Sequence, residues 1–352
     1  MKKLLVYTLL LTNLVAASAQ VVGGRHVFEF LSLSPSARTT ALGGGLLSVK
    51  DDDVALAAVA PSLLNPSMHN ALSFNHHFQL GGVQSGSVMY ARNAPKLGMM
   101  LQFGLQYINY GTFDAADEYG AQIGSFKAAD YAFLLGGMKK LDEHFSIGLN
   151  LKFVSSQLES YRSTGLATDV SGTYYDPEAQ ICATLAVRNL GVQLSTYSQQ
   201  NQREPLPLDI QLGLSKRLKH TPLRFSVLAH HLQRWNIRYQ DPATVAATTF
   251  LNDTQSSSSS SSIWIDNLFR HLTFGAEVLV GKKENLRFRI GYNHLRRQEL
   301  SVENYRSFAG FSLGAGIKVS NFRLDYGRAF THLAGSTNHL TVSTNLEAFG
   351  LK

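Results

Sequence analysis

Between residues 97 and 108 the chain reads LGMMLQFGLQYI, with Leu97, Met99, Leu101, Phe103, Leu105 and Tyr107 on every second position. Gly98, Met100, Gln102, Gly104, Gln106 and Ile108 lie between them, a smaller and more polar set. A period of two sends alternate side chains to opposite faces, so this stretch is a β-strand with one apolar face. The pattern recurs almost without pause from about residue 70 onward. It places fourteen strands near 71–80, 84–92, 97–108, 126–138, 145–156, 165–174, 180–195, 207–217, 223–234, 270–280, 286–294, 307–318, 322–329 and 338–348. The seventh changes phase at Asn189-Leu190-Gly191, where a β-bulge is expected.

So many one-sided strands need a solvent for their apolar faces, either a sandwich core or lipid. A hydrophobic content of 44% does not choose, because barrels alternate lipid-facing and lumen-facing residues. The connections do choose. Short joins at 93–96, 141–144, 175–178, 219–222, 282–285 and 320–321 alternate with longer ones at 109–125, 157–164, 196–206, 235–269, 295–306 and 330–337. This is the asymmetry of outer-membrane barrels, short turns inside and long loops outside. Charges such as Asp130, Lys152, Asp169, Arg188, Glu277, Arg289 and Asp325 fall on the polar rows. Tyr90, Tyr107, Tyr110, Phe153, Tyr174, Trp235, Tyr292 and Phe330 fall near strand ends, as interfacial girdles require.

The chain starts with Lys2 and Lys3, an apolar run from Leu4 to Val15 and the small-residue site Ala17-Ser18-Ala19. This reads as a bacterial signal peptide over 1–19. No later apolar run reaches the ~18 residues of a helical span. No cysteine follows the cleavage site to carry a lipid. The expected location is the outer membrane of a Gram-negative bacterium, with both termini periplasmic and the long loops extracellular. The expected partners therefore include outer-membrane lipids.

Residues 20–69 do not alternate. Gly43, Gly44 and Gly45 form a break, and Asp51, Asp52 and Asp53 precede the helix-forming run Val54 to Ala60, which ends at Pro61. One aspartate can cap that helix while the others favour its N-terminal end. Three adjacent aspartates lack the spacing of a calcium loop. The wide interior of a fourteen-stranded barrel favours placing 20–69 inside as a plug, with 70–352 as the barrel. The long exterior loop at 235–269 holds a serine tract, Ser256 to Ser262, and many large apolar residues. Trp235, Tyr239, Phe250, Trp264 and Phe269 make it either a folded cap or a partner-docking surface.

Enzymatic chemistry is not expected. There is no Ser-His-Asp set, paired-carboxylate signature or phosphate-binding glycine loop. The adjacent pairs His76-His77 and His230-His231 would point to opposite faces of their strands and share no metal. Cys182 is the only cysteine, which excludes an internal disulfide. The net charge of +7 is scattered along strands and turns, so no nucleic-acid partner is expected. No cofactor and no metal are expected.

The stretch SARTTALGGGLLSVKDDDVALAAVAPSLLNPSMH, with its glycine turn and Asn65-Pro66 pair, resembles the start of the PorV/PorQ family of the type IX secretion system. The likeness continues through FKAADYAF, KFVSSQLESYRSTGLATDV, NLGVQLSTY and GKKENLRFRIGYNHLRRQELSVENYRSFAGFSLGAGIKV, and leans toward the PorQ branch. These proteins are distant relatives of FadL-type fatty-acid channels. The resemblance implies an all-β fold, a fourteen-stranded antiparallel transmembrane β-barrel, FadL-like, with an N-terminal plug. It implies an anchor for a PorZ-like surface protein, beside PorU- and PorV-like components of the cargo-attachment complex. The alternative is a passive channel for long-chain fatty acids or other hydrophobic small molecules. Asn65-Pro66-Ser67 departs from the Asn-Pro-Ala usual in fatty-acid channels, and three residues follow Phe349 where many barrels end on an aromatic.

Overall fold

A computed structural model describes residues 26–197, 203–238, 260–281, 284–301, 305, 307–332 and 335–350. The expected signal peptide over 1–19, Tyr239, Phe250 and residues 256–259 of the serine tract lie outside the described residues.

All fourteen expected strands are present. They are β1 (Ala71–Phe78), β2 (Gln84–Ala94), β3 (Met99–Ala116), β4 (Gln122–Lys140), β5 (Phe145–Leu158), β6 (Tyr161–Asp176) and β7 (Ile181–Ser195). There follow β8 (Asp209–Arg217), β9 (Leu223–Ala229), β10 (Leu272–Val280), β11 (Leu286–Asn293), β12 (Phe311–Val319), β13 (Phe322–His332) and β14 (Gly335–Asn345). Each pairs antiparallel with its sequence neighbour, and β1 closes on β14 from Ala71↔Asn345 to Phe78↔Asn338. Closure leaves no sheet edge within the wall, the condition for spanning a bilayer with strands. No helix among the described residues is long and apolar enough to cross a membrane.

The two faces of the wall differ in chemistry. On β5, Phe145, Ile147, Leu149, Leu151 and Phe153 are exposed, while Ser146, Asn150, Lys152 and Val154 between them are buried. The same inversion, apolar out and polar in, runs around the barrel. Rows of half-exposed leucine and phenylalanine belong against hydrocarbon. Leu151→Arg, on this outer row at 53% exposure, is expected to cost about 2–4 kcal/mol if it lies near the bilayer midplane. Denaturant titration of refolding into lipid vesicles reads that loss.

Strand lengths depart from expectation. The loops expected over 109–125, 157–164 and 330–337 are mostly strand, because β3, β4, β5, β6, β13 and β14 run on past the expected ends. Phe113 pairs with Phe126, their rings 5.3 Å apart. On β3 and β4 both faces of the extension meet water, so the one-sided apolar pattern that marks a membrane strand is absent there. Beyond Asn109 β3 no longer pairs with β2, and before Ala128 β4 does not pair with β5. The hairpin tip therefore stands as a free ribbon. The register shifts between Asn109 and Gly111, where Gly111 has φ +95°. That bulge turns Tyr110 inward, and its hydroxyl donates to Asp130 Oδ2 at 2.8 Å rather than joining a girdle. The expected irregularity in β7 is present: the β6–β7 register shifts between Thr168 and Val170, and Asn189 takes φ +55°.

The wall encloses residues from the N-terminal segment. Three apolar clusters each join that segment to small or apolar wall residues: Leu42, Leu46, Leu47 and Leu56 with Ala186 and Leu228; Val54, Leu64 and Met68 with Met89 and Met100; Phe28, Phe30 and Leu31 with Ile108 and Val154. The largest fully buried side chains, Arg38, Leu31, Leu42, Leu46 and Leu47 among them, come mostly from this segment.

Candidate functional site

The N-terminal segment is short elements tied to the inward rows. Helix α1 (Ala37–Ala41) is capped by Ser36, whose side chain accepts from Thr39 N. Its first amide, Ala37 N, donates to Thr341 Oγ1 on β14 at 2.9 Å, and Thr40 Oγ1 meets His339 Nδ1 at 2.9 Å. Gly43 and Gly44 follow with φ +89° and +92°, a left-handed turn. A Cβ on wall Gly291 would collide with Gly43 N, so the two backbones touch only because residue 291 is glycine. Gly45 lies against the Leu228 side chain.

Helix α2 (Val54–Ala57) is shorter than the run Val54 to Ala60 implied. Gln102 Nε2 on β3 and Asn150 Nδ2 on β5 donate to Ala57 O at 2.7 and 3.1 Å, and Asn150 also reaches Ala58 O at 3.2 Å. Wall amides take the carbonyls that another helical turn would have used. Asp53 Oδ1 accepts from Ala55 N at 3.2 Å. Asn65 accepts from Ser67 N at 3.0 Å and donates to Asp51 O at 2.8 Å, and Pro66 opens the next tight turn.

At the centre is Arg38, 2% exposed. Its Nε and Nη2 donate to both oxygens of Glu277 on β10, at 3.0 and 2.9 Å. Its Nη1 donates to Asp51 Oδ2 at 2.9 Å and Asp53 Oδ2 at 3.3 Å. Glu277 also holds Arg224 and Arg289, each at 3.0 Å, and Arg289 reaches Asp325. Asp52 pairs with Arg323 at 2.6 Å. With Arg287, which acts on Asp51 through space, the guanidinium groups number five, Arg38, Arg224, Arg287, Arg289 and Arg323, against the carboxylates of Asp51, Asp52, Asp53, Glu277 and Asp325. The cluster is neutral as a whole. Buried charge on this scale is tolerated only when paired and hydrogen-bonded.

Burial alone would raise the Asp51 carboxyl, but Arg38, Arg224, Arg287 and Arg323 hold it well below the usual carboxylate range. Asp53 goes the other way: burial and Asp51 raise it despite Arg38. A carboxyl depressed in the folded state contributes stability above its unfolded value, near 4, which is lost as pH falls toward the depressed value. Acidification from about pH 4 downward is therefore expected to loosen the segment. Conductance in planar bilayers, low at pH 6 and rising only below about pH 4, would report the release.

A second ion pair lies apart from this cluster. Lys152 Nζ is 2.7 Å from Asp169 Oδ2, and both side chains are almost fully buried. Asn189, at the β7 bulge, closes the set: its backbone N donates to Asp169 Oδ1 at 2.8 Å and its Oδ1 accepts from Lys152 at 2.9 Å.

The lumen is open at both ends of the segment. At the end where β14 finishes at Asn345, a cavity of about 300 Å³ is lined by Asp52, Lys318, Asn321 and Arg323. At the far end, one of about 280 Å³ is lined by Leu46, Leu47, Arg188, Asp209, His230 and Arg296, among others. The Arg38 cluster and the segment's backbone lie between them.

The expected partner-docking aromatics are only partly brought together. Trp235 and Trp264 lie with ring centroids 5.7 Å apart, and both are half-exposed. Trp264 and Phe269 sit on α3 (Ser260–Arg270), with Phe269 against Phe274 and His294. His76 packs on Phe78 while its neighbour His77 stacks on His339, 4.6 Å away inside the wall. His230 and His231 do not diverge as expected. The strand has ended at Ala229, His231 takes φ +57°, and the two Nδ1 atoms meet at 2.6 Å. Cys182 is a buried free thiol packed in the core. Arg38 was not singled out by sequence reasoning; its one signal is being, with Lys50, one of two Lys or Arg residues in 26–69.

Fold and lumen together define a class: a fourteen-stranded antiparallel outer-membrane-type barrel with an FadL-like architecture. Among solved structures, the toluene transporter TodX of Pseudomonas putida matches with a TM-score of 0.51 at 10% identity, over 92% of this chain and 98% of that one. The CymD monoaromatic hydrocarbon channel matches at 0.49 and 12% identity, covering 90% and 97%. A Pseudomonas aeruginosa FadL homologue matches at 0.47 and 10% identity, covering 88% and 98%. No family model and no curated protein matches the chain.

Proposed function

We propose that this chain is a gated outer-membrane channel for small hydrophobic molecules, closed at rest by its own N-terminal segment acting as a plug. The observation that carries the reading is a cavity at each end of the lumen with the Arg38 cluster between them. Beside the three apolar clusters, hydrogen bonds and ion pairs hold the segment to the wall, and water can replace these polar contacts when it moves. The far-end cavity offers apolar surface from Leu33, Leu46, Leu47 and Val59. The architecture shared with a toluene transporter supports the substrate class by analogy. The short turns and the end of β14 would face the periplasm. Uptake of toluene and of a long-chain fatty acid by cells with and without the protein tests this. Faster uptake with the protein is expected, and equal uptake would end the proposal.

A second reading rests on the half-exposed Trp235–Trp264 pair with Phe269. In this reading the barrel is a surface anchor of the type IX secretion system, of the PorV/PorQ kind, and these aromatics hold a PorZ-like protein beside PorU- and PorV-like components. Aromatic residues lead the composition of binding hot spots. Detergent pull-down from cells, repeated with Trp235→Ala and Trp264→Ala and with residues 250–262 deleted, separates the two. Recovery of the same partner from every variant would remove this reading.

A further inference from the structure

We infer that the far-end cavity is a binding site for a compact organic acid, its carboxylate held by Arg188 and Arg296 and its apolar body lying against Leu46, Leu47 and Val59. This deepens the channel reading and rests on it for transport, though not for binding.

Two cations at this cavity have no anion of their own. Arg188, on β7, is 8% exposed; its Nη2 donates to Leu31 O at 3.2 Å and its Nε has no partner. The residue opposite it on β8 is Asp209, yet no ion pair forms. Asp209 is engaged elsewhere, accepting from His231 N at 2.7 Å and Gln211 Nε2 at 2.5 Å. Arg296, on α4 (His294–Leu300), rests its guanidinium on Gly44, where a Cβ would lie 2.5 Å from Nη2. Among the described residues neither arginine has a carboxylate within salt-bridge distance, whereas every guanidinium of the Arg38 cluster except Arg287 pairs with a carboxylate of that cluster. Arg287 pairs with Glu284 instead.

A third donor points the same way. His230 is 5% exposed, lines the cavity, and its Nε2 has no partner. Burial, then His231 and His271, push its pKa down to about 3, so the ring is neutral. In the tautomer in which His231 Nδ1 donates across the 2.6 Å contact, the His230 proton sits on Nε2 and is available to an oxygen. Glu29 and Glu299 also line the cavity, but both side chains are exposed, Glu29 lies 3.6 Å from His26, and neither is within salt-bridge distance of the two arginines. Guanidinium groups bind carboxylates through paired N–H donors. A volume of about 280 Å³ takes a ring or short branched body.

The test is calorimetric titration of the detergent-purified full chain with benzoate, benzyl alcohol and inorganic phosphate. Benzoate is expected to bind at least tenfold more tightly than either of the others. Arg188→Gln and Arg296→Gln should each weaken benzoate at least tenfold, with thermal unfolding confirming a folded barrel. Should Arg188→Gln fail to fold, Arg296→Gln and the ligand comparison on the parent protein still decide. Absence of benzoate binding, equal binding of benzyl alcohol or phosphate, or unchanged binding in the Arg296 variant overturns the site. Benzoate binding without toluene uptake overturns the channel and leaves the site. Toluene uptake without benzoate binding does the reverse.

Discussion

Ion conductance in planar bilayers rises several-fold when Arg38 is replaced by methionine: this is the expected result of removing the N-terminal segment's own cation that joins it to Glu277 on the wall. Methionine keeps much of the volume, so the loss is electrostatic. Glu277 retains Arg224 and Arg289 and Asp51 retains Arg224, but Asp53 loses its guanidinium and the segment loses its tie to Glu277. Breaking a buried ion pair by removing one partner costs about 3–5 kcal/mol, because the remaining charge stays buried and uncompensated. That cost falls on docking of the segment and leaves the strand ladders intact. The barrel should still fold, while protease reaches residues near 37–68 and current flows. A variant as closed and as protease-resistant as its parent would mean that apolar packing, through Leu42, Leu46, Leu47 and Leu56, holds the segment without help from charge.

Asp169→Ala is expected to cost about as much, 3–5 kcal/mol, but in a different place. Asp169 receives Lys152 Nζ and the backbone amide of Asn189, so its loss strands a buried ammonium inside the wall and frees the bulge in β7. The folding of the barrel itself should suffer, with a lower midpoint for refolding into vesicles and little change in conductance of the molecules that do fold. Lys152→Met combined with Asp169→Leu should recover most of the loss, since replacing a whole buried pair by apolar groups is often neutral or better. If the double variant is as unstable as the single one, the β7 bulge depends on the Asp169 carboxylate as an acceptor for Asn189 rather than on neutralising Lys152.

Strand positions were readable because alternation is a local property: Phe145, Ile147, Leu149, Leu151 and Phe153 announce one lipid-facing row without reference to the rest of the chain. The pattern failed at 109–126, where both faces meet water and nothing forces residues to alternate. Partners inside the lumen were unreadable for another reason. Arg38 and Glu277 stand 239 residues apart, and nothing near either names the other. Asp51, Asp52 and Asp53 illustrate the limit. Their order beside a helix implies capping, and Asp53 does accept from Ala55 N, but the arginines that Asp51 and Asp52 meet come from α1 and from strands β9 and β13. The His230–His231 contact was hidden because it depends on where β9 stops, and strand ends are the weakest part of any reading from periodicity.

The free ribbon of β3 and β4 also marks a waterline. An amide with no partner cannot sit in hydrocarbon. The unshared edges above Asn109 and Ala128 must therefore stand in water, and the oil can rise no higher than those residues on that flank. From Met99 to Asn109 the wall is then about as long as the ~9–11 residues a tilted strand needs to cross. Everything beyond, seven of the eighteen residues of β3, stands clear of the bilayer as a rigid mast.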